Sequence, residues 1–424
     1  MKAKNYDNEL SLWIDKEKTT SELSNVVSRL ILEHSTELVM FRNRITNITK
    51  SEILNLHDYA AKFVRQDISV HQTLTLAKAI LELGIKNAKI DLGKLAYEWN
   101  KEDSSNDKIN DFVKIKLSAF IKSENNLAPK DVILYGFGRI GRLVARELFL
   151  QDNAGGQLRL RAIVTRTNSE KDISKRASLL RTDSVHGVFT GTVKEDFENK
   201  ALIINGRTVN MIAAKSPDTI DYGDYGIQNA LVIDNTGVFR DKETLSLHLK
   251  SKGVTKVLLT APAKGVPNIV FGVNHKVDID NTYIFSAASC TTNAITPILK
   301  IVEKQLGIVK GHLETIHAYT NDQNLVDNMH SKYRRGRAAA LNMVITETGA
   351  GKAVTKAIPS LEDKLTSSAI RVPTPNGSLA ILNLTVVKET NLEAINNLIH
   401  DAAFDSELVE QIRFSVNNEL VSSD

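Results

Sequence analysis

The run from Asp131 to Leu150 constrains the fold more than any other part of this chain. A short apolar segment, Asp131–Tyr135, enters Gly136-Phe137-Gly138-Arg139-Ile140-Gly141, and Arg142–Leu150 follows with helical composition. A G-x-G-x-x-G pattern between a strand and a helix predicts a nucleotide-binding β-turn-α unit. Gly136 permits the tight turn, Gly138 lets a pyrophosphate approach the backbone, and Gly141 lets the helix pack closely on the strand. The helix N-terminus then faces the phosphates.

The surrounding pattern agrees. Apolar runs recur at Arg159–Val164, Ala230–Ile233, Lys256–Leu259, Ile269–Phe271 and Tyr283–Ala287, with helix-like stretches between some of them. Such alternation predicts a mostly parallel α/β sheet. Beyond Cys290 the runs lengthen, at Leu313–His317, Ala369–Val372 and Leu379–Val387, which suggests an α+β arrangement. The chain is thus expected to hold a Rossmann-type nucleotide domain at 129–289 and a catalytic domain at 290–424.

Residues 1–128 read as an all-α module for docking or stability. Thr19 with Glu22, and Thr49 with Glu52, look like capping boxes ahead of apolar stripes at helical spacing. Further stripes begin near Ser69, with Gly84 as a C-cap, and run over Leu92–Trp99 and Ile109–Ile121. Lys101–Lys108 is expected to be a loop and Ser123–Lys130 a linker.

Composition narrows the function classes. The 424 residues are 42% apolar and 25% charged, enough for two to three domains at about 150 residues each. The net charge of +4 is spread along the chain, so nucleic acid is an unlikely partner. No apolar run is long enough to span a membrane and the first residues lack a signal core, which predicts a cytoplasmic protein. The single cysteine, Cys290, excludes an internal disulfide and a cysteine-rich metal site, and no metal is expected.

Cofactor choice is readable at the second strand. It ends Val164-Thr165-Arg166, where an acidic residue would ordinarily hold the adenosine ribose. A guanidinium pairs with a 2′-phosphate that a carboxylate would repel. The site is therefore expected to take NADP at least as well as NAD.

Cys290 lies in Ser289-Cys290-Thr291-Thr292-Asn293, between the strand Tyr283–Ala287 and the helical pattern Ile295–Leu306. A helix N-terminus lowers a thiol pKa. Pro297, with Thr296 as its cap, offers an alternative helix start farther from the thiol. This pentapeptide resembles the active site of the phosphorylating glyceraldehyde-3-phosphate dehydrogenases. The resemblance runs from about Lys130 to Asp424. It is carried also by Arg181-Thr182-Asp183-Ser184-Val185-His186-Gly187, Asn235-Thr236-Gly237-Val238-Phe239, Thr260-Ala261-Pro262 and His317-Ala318-Tyr319-Thr320-Asn321-Asp322-Gln323. Arg337-Ala338-Ala339-Ala340, Thr348-Gly349-Ala350-Gly351-Lys352-Ala353-Val354 and Arg371-Val372-Pro373-Thr374-Pro375 complete it.

The resemblance implies Cys290 as nucleophile and His317 as general base. It implies Ser289, Thr291, Thr348 and Gly349 at the inorganic phosphate, and Thr320, Asp322 and Arg371 at the substrate's C3 phosphate. One or more of Arg334, Arg335 and Arg337 would also face an anion. Arg139 and Ile140 would cradle the cofactor beside Gly136, Gly138 and Gly141. The implied reaction oxidises glyceraldehyde 3-phosphate to 1,3-bisphosphoglycerate through a cysteine thioester, in central carbon metabolism, in a homotetramer with Asn321–Arg337 at its interface. Erythrose 4-phosphate as substrate, or a non-catalytic nucleotide-binding scaffold, are the alternatives.

Three departures from that family stand out. Thr165-Arg166 replaces Asn-Asp at the ribose, and Lys215 replaces an Arg near the adenine. Ala294 replaces a second Cys, which removes a local disulfide partner for Cys290. The chain ends at Val421-Ser422-Ser423-Asp424, where family members continue, so it reads as C-terminally short.

Overall fold

The computed structural model describes residues 6–102, 108–121, 128–151, 157–276, 278, 281–346 and 348–422. Most of the expected loop at Lys101–Lys108 and of the linker at Ser123–Lys130 lies outside these residues, as do Ser423 and Asp424.

The N-terminal segment comprises α1 (Tyr6–His34), β1 (Glu37–Met40), β2 (Asn43–Arg44), α2 (Lys50–Val64), α3 (Val70–Glu82), β3 (Lys89–Asp91), α4 (Leu92–Lys101), α5 (Ile109–Lys116) and α6 (Ser118–Ile121). The Thr49–Glu52 capping box forms, and Ser69 caps α3. Gly84, at φ +61°, follows the end of α3. Thr19 caps nothing. No glycine or proline interrupts Tyr6–Lys18, so α1 runs through, and the hydroxyls of Thr19 and Thr20 donate to the carbonyls of Asp15 and Lys16 at 2.9 and 2.7 Å.

The all-α expectation for this segment is amended by a small sheet of order β2-β1-β3. Its strands are too short to carry a readable period. The β1–β2 turn places Phe41 and Arg42 at φ 43° and 70°, a left-handed conformation that costs a non-glycine residue about 1–2 kcal/mol. Both amides donate to the buried carboxylate of Asp91, at 2.9 and 3.3 Å, which also caps α4 through Lys94 N at 3.0 Å. Burial raises the Asp91 carboxyl pKa, and these amides oppose the rise.

An eight-stranded sheet follows. Its elements are β4 (Lys130–Tyr135), α7 (Arg139–Gln151), β5 (Leu158–Thr165), α8 (Glu170–Arg181), the hairpin β6 (Thr182–Asp183) and β7 (Gly187–Val188), β8 (Val193–Asp196), β9 (Ala201–Ile204), β10 (Arg207–Ala213), β11 (Ala230–Asp234), α9 (Lys242–Leu245), β12 (Val254–Leu259) and β13 (Ile284–Ser286). The sheet order is β13-β12-β11-β4-β5-β10-β9-β8, and β6 and β7 pair apart from it. Every pairing from β13 to β10 is parallel, and β8–β10 form an antiparallel edge. β5 leaves β4 to one side and β11 lies on the other, so the chain reverses direction beside β4. A crevice opens there at the carboxyl ends of the strands. Ile133 and Leu134 are fully buried, one in the core on each face. The expected strand at Ile269–Phe271 is absent. Asn268 makes a single bridge to Ser286, and the chain turns where Val273 N bonds Val270 O.

The remainder comprises α10 (Cys290–Leu306), β14 (Ile308–Ala318), β15 (Val344–Thr346), α11 (Ala350–Ala357), β16 (Leu365–Val372), β17 (Ser378–Val386) and α12 (Leu392–Phe404). Its sheet, β15-β16-β14-β17, shares a core with α10 and α11 built on Leu299, Leu313, Val354 and Leu361. Ser289 caps α10 by accepting Thr292 N at 3.0 Å. The helix therefore starts at Cys290, and Pro297 lies inside it rather than at its start.

The N-terminal segment docks on α12 and residues 405–414. Phe41 and Phe63 place their rings 6.0 and 6.1 Å from Phe404. Arg42 Nη1 donates to Ile412 O at 3.0 Å and Tyr59 to Phe414 O at 3.1 Å. Lys94 pairs with Asp405 at 2.6 Å and Lys89 with Glu410 at 3.2 Å. Arg44 reaches the nucleotide helix α7 through Glu147 at 3.1 Å.

Candidate functional site

Two cavities meet at the glycine turn. The first, about 330 Å³, is walled by Tyr135–Gly138, the end of β5 with Thr165 and Arg166, Lys215, and Thr236, Val238 and Phe239. The three glycines do different work. Gly136, at φ +93°, has Thr236 Cγ2 only 2.8 Å from where a Cβ would stand. At Gly141 the carbonyl oxygen of Gly136 would lie 2.4 Å from a Cβ, so α7 packs as closely as backbone allows. Gly138 faces open space, with nothing within 4 Å of the same position. An open cradle at Gly138, before the first turn of α7, fits the pyrophosphate of a dinucleotide. Arg166 and Lys215 add positive charge to the lining of the cavity.

The second cavity, about 540 Å³, lies on the other side of Arg139 and Ile140. Cys290, Thr291, Thr315, His317, Thr320, Arg371 and Ser378 also line it. Cys290 is exposed, at the first position of α10. The turn before it holds Ala288 at φ +59°, with Asn293 Nδ2 donating to Ala287 O and Ser289 O at 2.7 and 2.9 Å. A positive φ in alanine persists only where its surroundings fix it. Here the side chain of Asn293 clasps the turn and aims the thiol outward.

His317 arrives from β14, with Arg371 of β16 and Ser378 of β17 as its register partners. Its Nδ1 shares a hydrogen bond with Ser378 Oγ at 2.9 Å, and its Nε2 one with Thr291 Oγ1 at 3.1 Å. Thr291 Oγ1 lies 4.0 Å from Cys290 Sγ. Burial, and then the Arg371 charge, hold the imidazole pKa below its ordinary value. The ring is thus a neutral base near pH 7.

The residues expected at the two anion sites are partly assembled. Arg371 donates to Ala318 O at 3.1 Å, and its Nε is buried without a partner. Thr320 donates to Asp322, which pairs with Arg335. Burial would raise the Asp322 carboxyl pKa, but Thr320 and Arg335 together hold it low. Arg337 is turned away, pairing with Asp327 at 2.8 Å on the surface, and Arg334 is exposed. Ser289 caps α10, while Thr348 and Gly349 open α11, and none of these three lines the cavity. Ser378 gave no sequence signal, because strand register alone brings it to the imidazole. Among the described residues no group of side chains could hold a metal, and no helix is long and apolar enough to cross a membrane.

Comparison with known proteins identifies the family. Residues 130–242 match the NAD-binding domain of glyceraldehyde 3-phosphate dehydrogenase, and residues 289–424 match its C-terminal domain. The chain belongs to the glyceraldehyde-3-phosphate dehydrogenase family. A glyceraldehyde-3-phosphate dehydrogenase-like protein of Pseudomonas aeruginosa is 52% identical over 377 residues, 88% of this chain and 82% of that protein. Residues 129–424 are too few to hold that match, so the similarity extends well into the N-terminal segment. A glyceraldehyde-3-phosphate dehydrogenase of Zymomonas mobilis is 38% identical over 295 residues, 69% of this chain and 84% of the relative. One from Priestia megaterium is 40% identical over 270 residues, 63% and 77% of the two chains. Membership of this family makes the chain an oxidoreductase with an NAD(P)-binding domain.

Proposed function

We propose that this protein is a cytoplasmic, phosphorylating glyceraldehyde-3-phosphate dehydrogenase that works through a thioester on Cys290 and prefers NADP. The observation that carries the reading is the exposed thiol at the first position of α10, sharing a cavity with a neutral His317 and the half-buried Arg371.

The chemistry follows from those groups. Cys290 Sγ adds to the aldehyde carbon as its thiol proton passes by way of His317 to the carbonyl oxygen, which gives a hemithioacetal. The dinucleotide, when bound, supplies the hydride acceptor. His317 takes the hydroxyl proton as the C–H bond is oxidised, leaving an acyl group on sulfur. Ser378 fixes the imidazole from its far side. Attack by inorganic phosphate on the thioester releases an acyl phosphate, and the leaving sulfur recovers its proton from His317. Arg371, with Thr320, Asp322 and Arg335 behind it, holds the substrate phosphate. Thr291 is the phosphate-site residue best placed to contact the attacking anion. The chain is read as three units, residues 1–128, 129–289 and 290–424, of which the last two hold the reacting groups. A homotetramer is supported by exposed Leu325, Val326, Met329 and Tyr333 on the segment expected at the interface.

Arg166 and Lys215, both lining the cofactor cavity with no carboxylate at the end of β5, support the NADP preference. The test is phosphate-dependent reduction of each cofactor by the full-length protein, with glyceraldehyde 3-phosphate and then with erythrose 4-phosphate. Cys290→Ala is expected to abolish turnover while leaving cofactor affinity within about twofold. Turnover that survives this change refutes the thioester, and use of NAD as well as or better than NADP refutes the cofactor assignment.

A further inference from the structure

The cofactor cavity contains a third cation that spacing along the chain did not indicate. Arg176, in the middle of α8, lines it together with Arg166 and Lys215. Its side chain is half-buried, and its Nε is shielded from water with no hydrogen-bond partner. Burial lowers the guanidinium pKa, Asp172 one turn earlier offsets this, and Arg142 adds to it. The carboxylate of Asp172 is already engaged as the capping partner of Ser169, with bonds of 2.7 and 3.3 Å to its hydroxyl and amide.

A buried donor without an acceptor costs roughly 1–3 kcal/mol. Arg142 also repels Arg176, and Arg166 and Lys215 add further positive charge to the lining of the same cavity. A neutral ribose diol offers a hydroxyl acceptor to the donor but no charge to the cations. A phosphomonoester relieves both, because it brings about two negative charges and three acceptor oxygens that match a planar guanidinium fork. Arg166 and Lys215 approach from the ends of two adjacent strands, β5 and β10, and Arg176 from the helix that follows β5. The cage therefore closes on the end of β5, where the adenosine ribose of a dinucleotide lies.

We propose that Arg176 is a specificity-determining residue that grips the 2′-phosphate of NADP together with Arg166 and Lys215. This rests on the reading that the cavity takes the adenosine half of NADP. Its test separates the two. Direct calorimetric binding to the full-length protein is measured for NADP, NAD, adenosine 2′,5′-bisphosphate and 5′-AMP, with wild type, Arg176→Met and Arg176→Lys. Wild type is expected to bind both 2′-phosphorylated ligands more tightly than their partners. Arg176→Met is expected to weaken those two by about 10–100-fold and leave NAD and 5′-AMP within twofold. Arg176→Lys is expected to fall between, since it keeps charge but loses the fork.

If wild type shows no preference for the 2′-phosphate, the underlying cofactor reading fails and takes this proposal with it. If wild type shows the preference and Arg176→Met keeps it, the assignment of Arg176 alone is overturned. Equal weakening of all four ligands also overturns it, because the residue is then structural. Should Arg176→Met fail to fold, Arg176→Lys decides: affinities unchanged from wild type for the 2′-phosphorylated ligands would refute the fork.

Discussion

His317 Nε2 lies 3.1 Å from Thr291 Oγ1, and that hydroxyl lies 4.0 Å from Cys290 Sγ. The hydroxyl thus stands between the base and the nucleophile. Replacing it with an isosteric methyl in Thr291→Val is expected to lower kcat/KM by roughly 10–100-fold, the lower range for loss of one positioned proton-handling group. Thr291→Ser should retain most activity. Steady-state kinetics, with the rate of iodoacetamide alkylation at Cys290, checks both.

The depressed pKa of His317 sets a pH signature. Burial and Arg371 keep the folded imidazole neutral below its ordinary value of 6.5. The acid limb of activity is therefore expected below pH 6.5. As pH falls through 6.5 the unfolded chain takes up a proton that the native protein does not, so stability declines until the folded pKa is passed. His317→Asn should flatten that decline, read from urea midpoints at pH 8 and pH 5.5.

The glycines of the nucleotide turn should separate stability from binding. A Cβ at Gly138 meets open space, so Gly138→Ala should leave Tm within about 2 °C while weakening NADP at least tenfold. A Cβ at Gly141 would stand 2.4 Å from a backbone oxygen. Gly141→Ala should therefore destabilise by roughly 1–3 kcal/mol, as overpacking does. Thermal unfolding and cofactor titration distinguish the two.

Asp91 anchors the docking turn of the N-terminal segment. Removing its carboxylate strands the Phe41, Arg42 and Lys94 amides and the strained turn they hold. Asp91→Ala is expected to cost about 3 kcal/mol. Lys94→Ala removes the Lys94–Asp405 pair, whose carboxylate is 72% exposed, and should cost under about 0.5 kcal/mol. Denaturant unfolding of the full chain measures both.

How much of this was legible in the sequence depended on range. The glycine turn, the capping box at Thr49, the strands flanking β4 and the thiol at a strand-to-helix turn all rest on neighbouring residues, and all formed. The Thr19 cap failed because nothing upstream stopped the helix, and Pro297 failed as a start because Ser289 caps α10 earlier. Short strands β1–β3 lacked a period. Ser378 and Arg176 reach their sites through strand register and helix packing, which spacing along the chain does not encode. Arg337 matched by motif, but Asp327 holds it on the surface.

The hold of α1–α4 and β1–β3 on α12 and on 405–414 is made within one covalent chain. Dilution therefore cannot strip that cover away, as it would a separate subunit, because the tether keeps its local concentration high however little protein is present. Surfaces that Phe404 and Phe414 would otherwise present to water stay sheltered from the moment both parts are folded. A lesion at the turn of Phe41 and Arg42 would accordingly be felt far away in sequence, at residues 405–414, as new exposure to proteases.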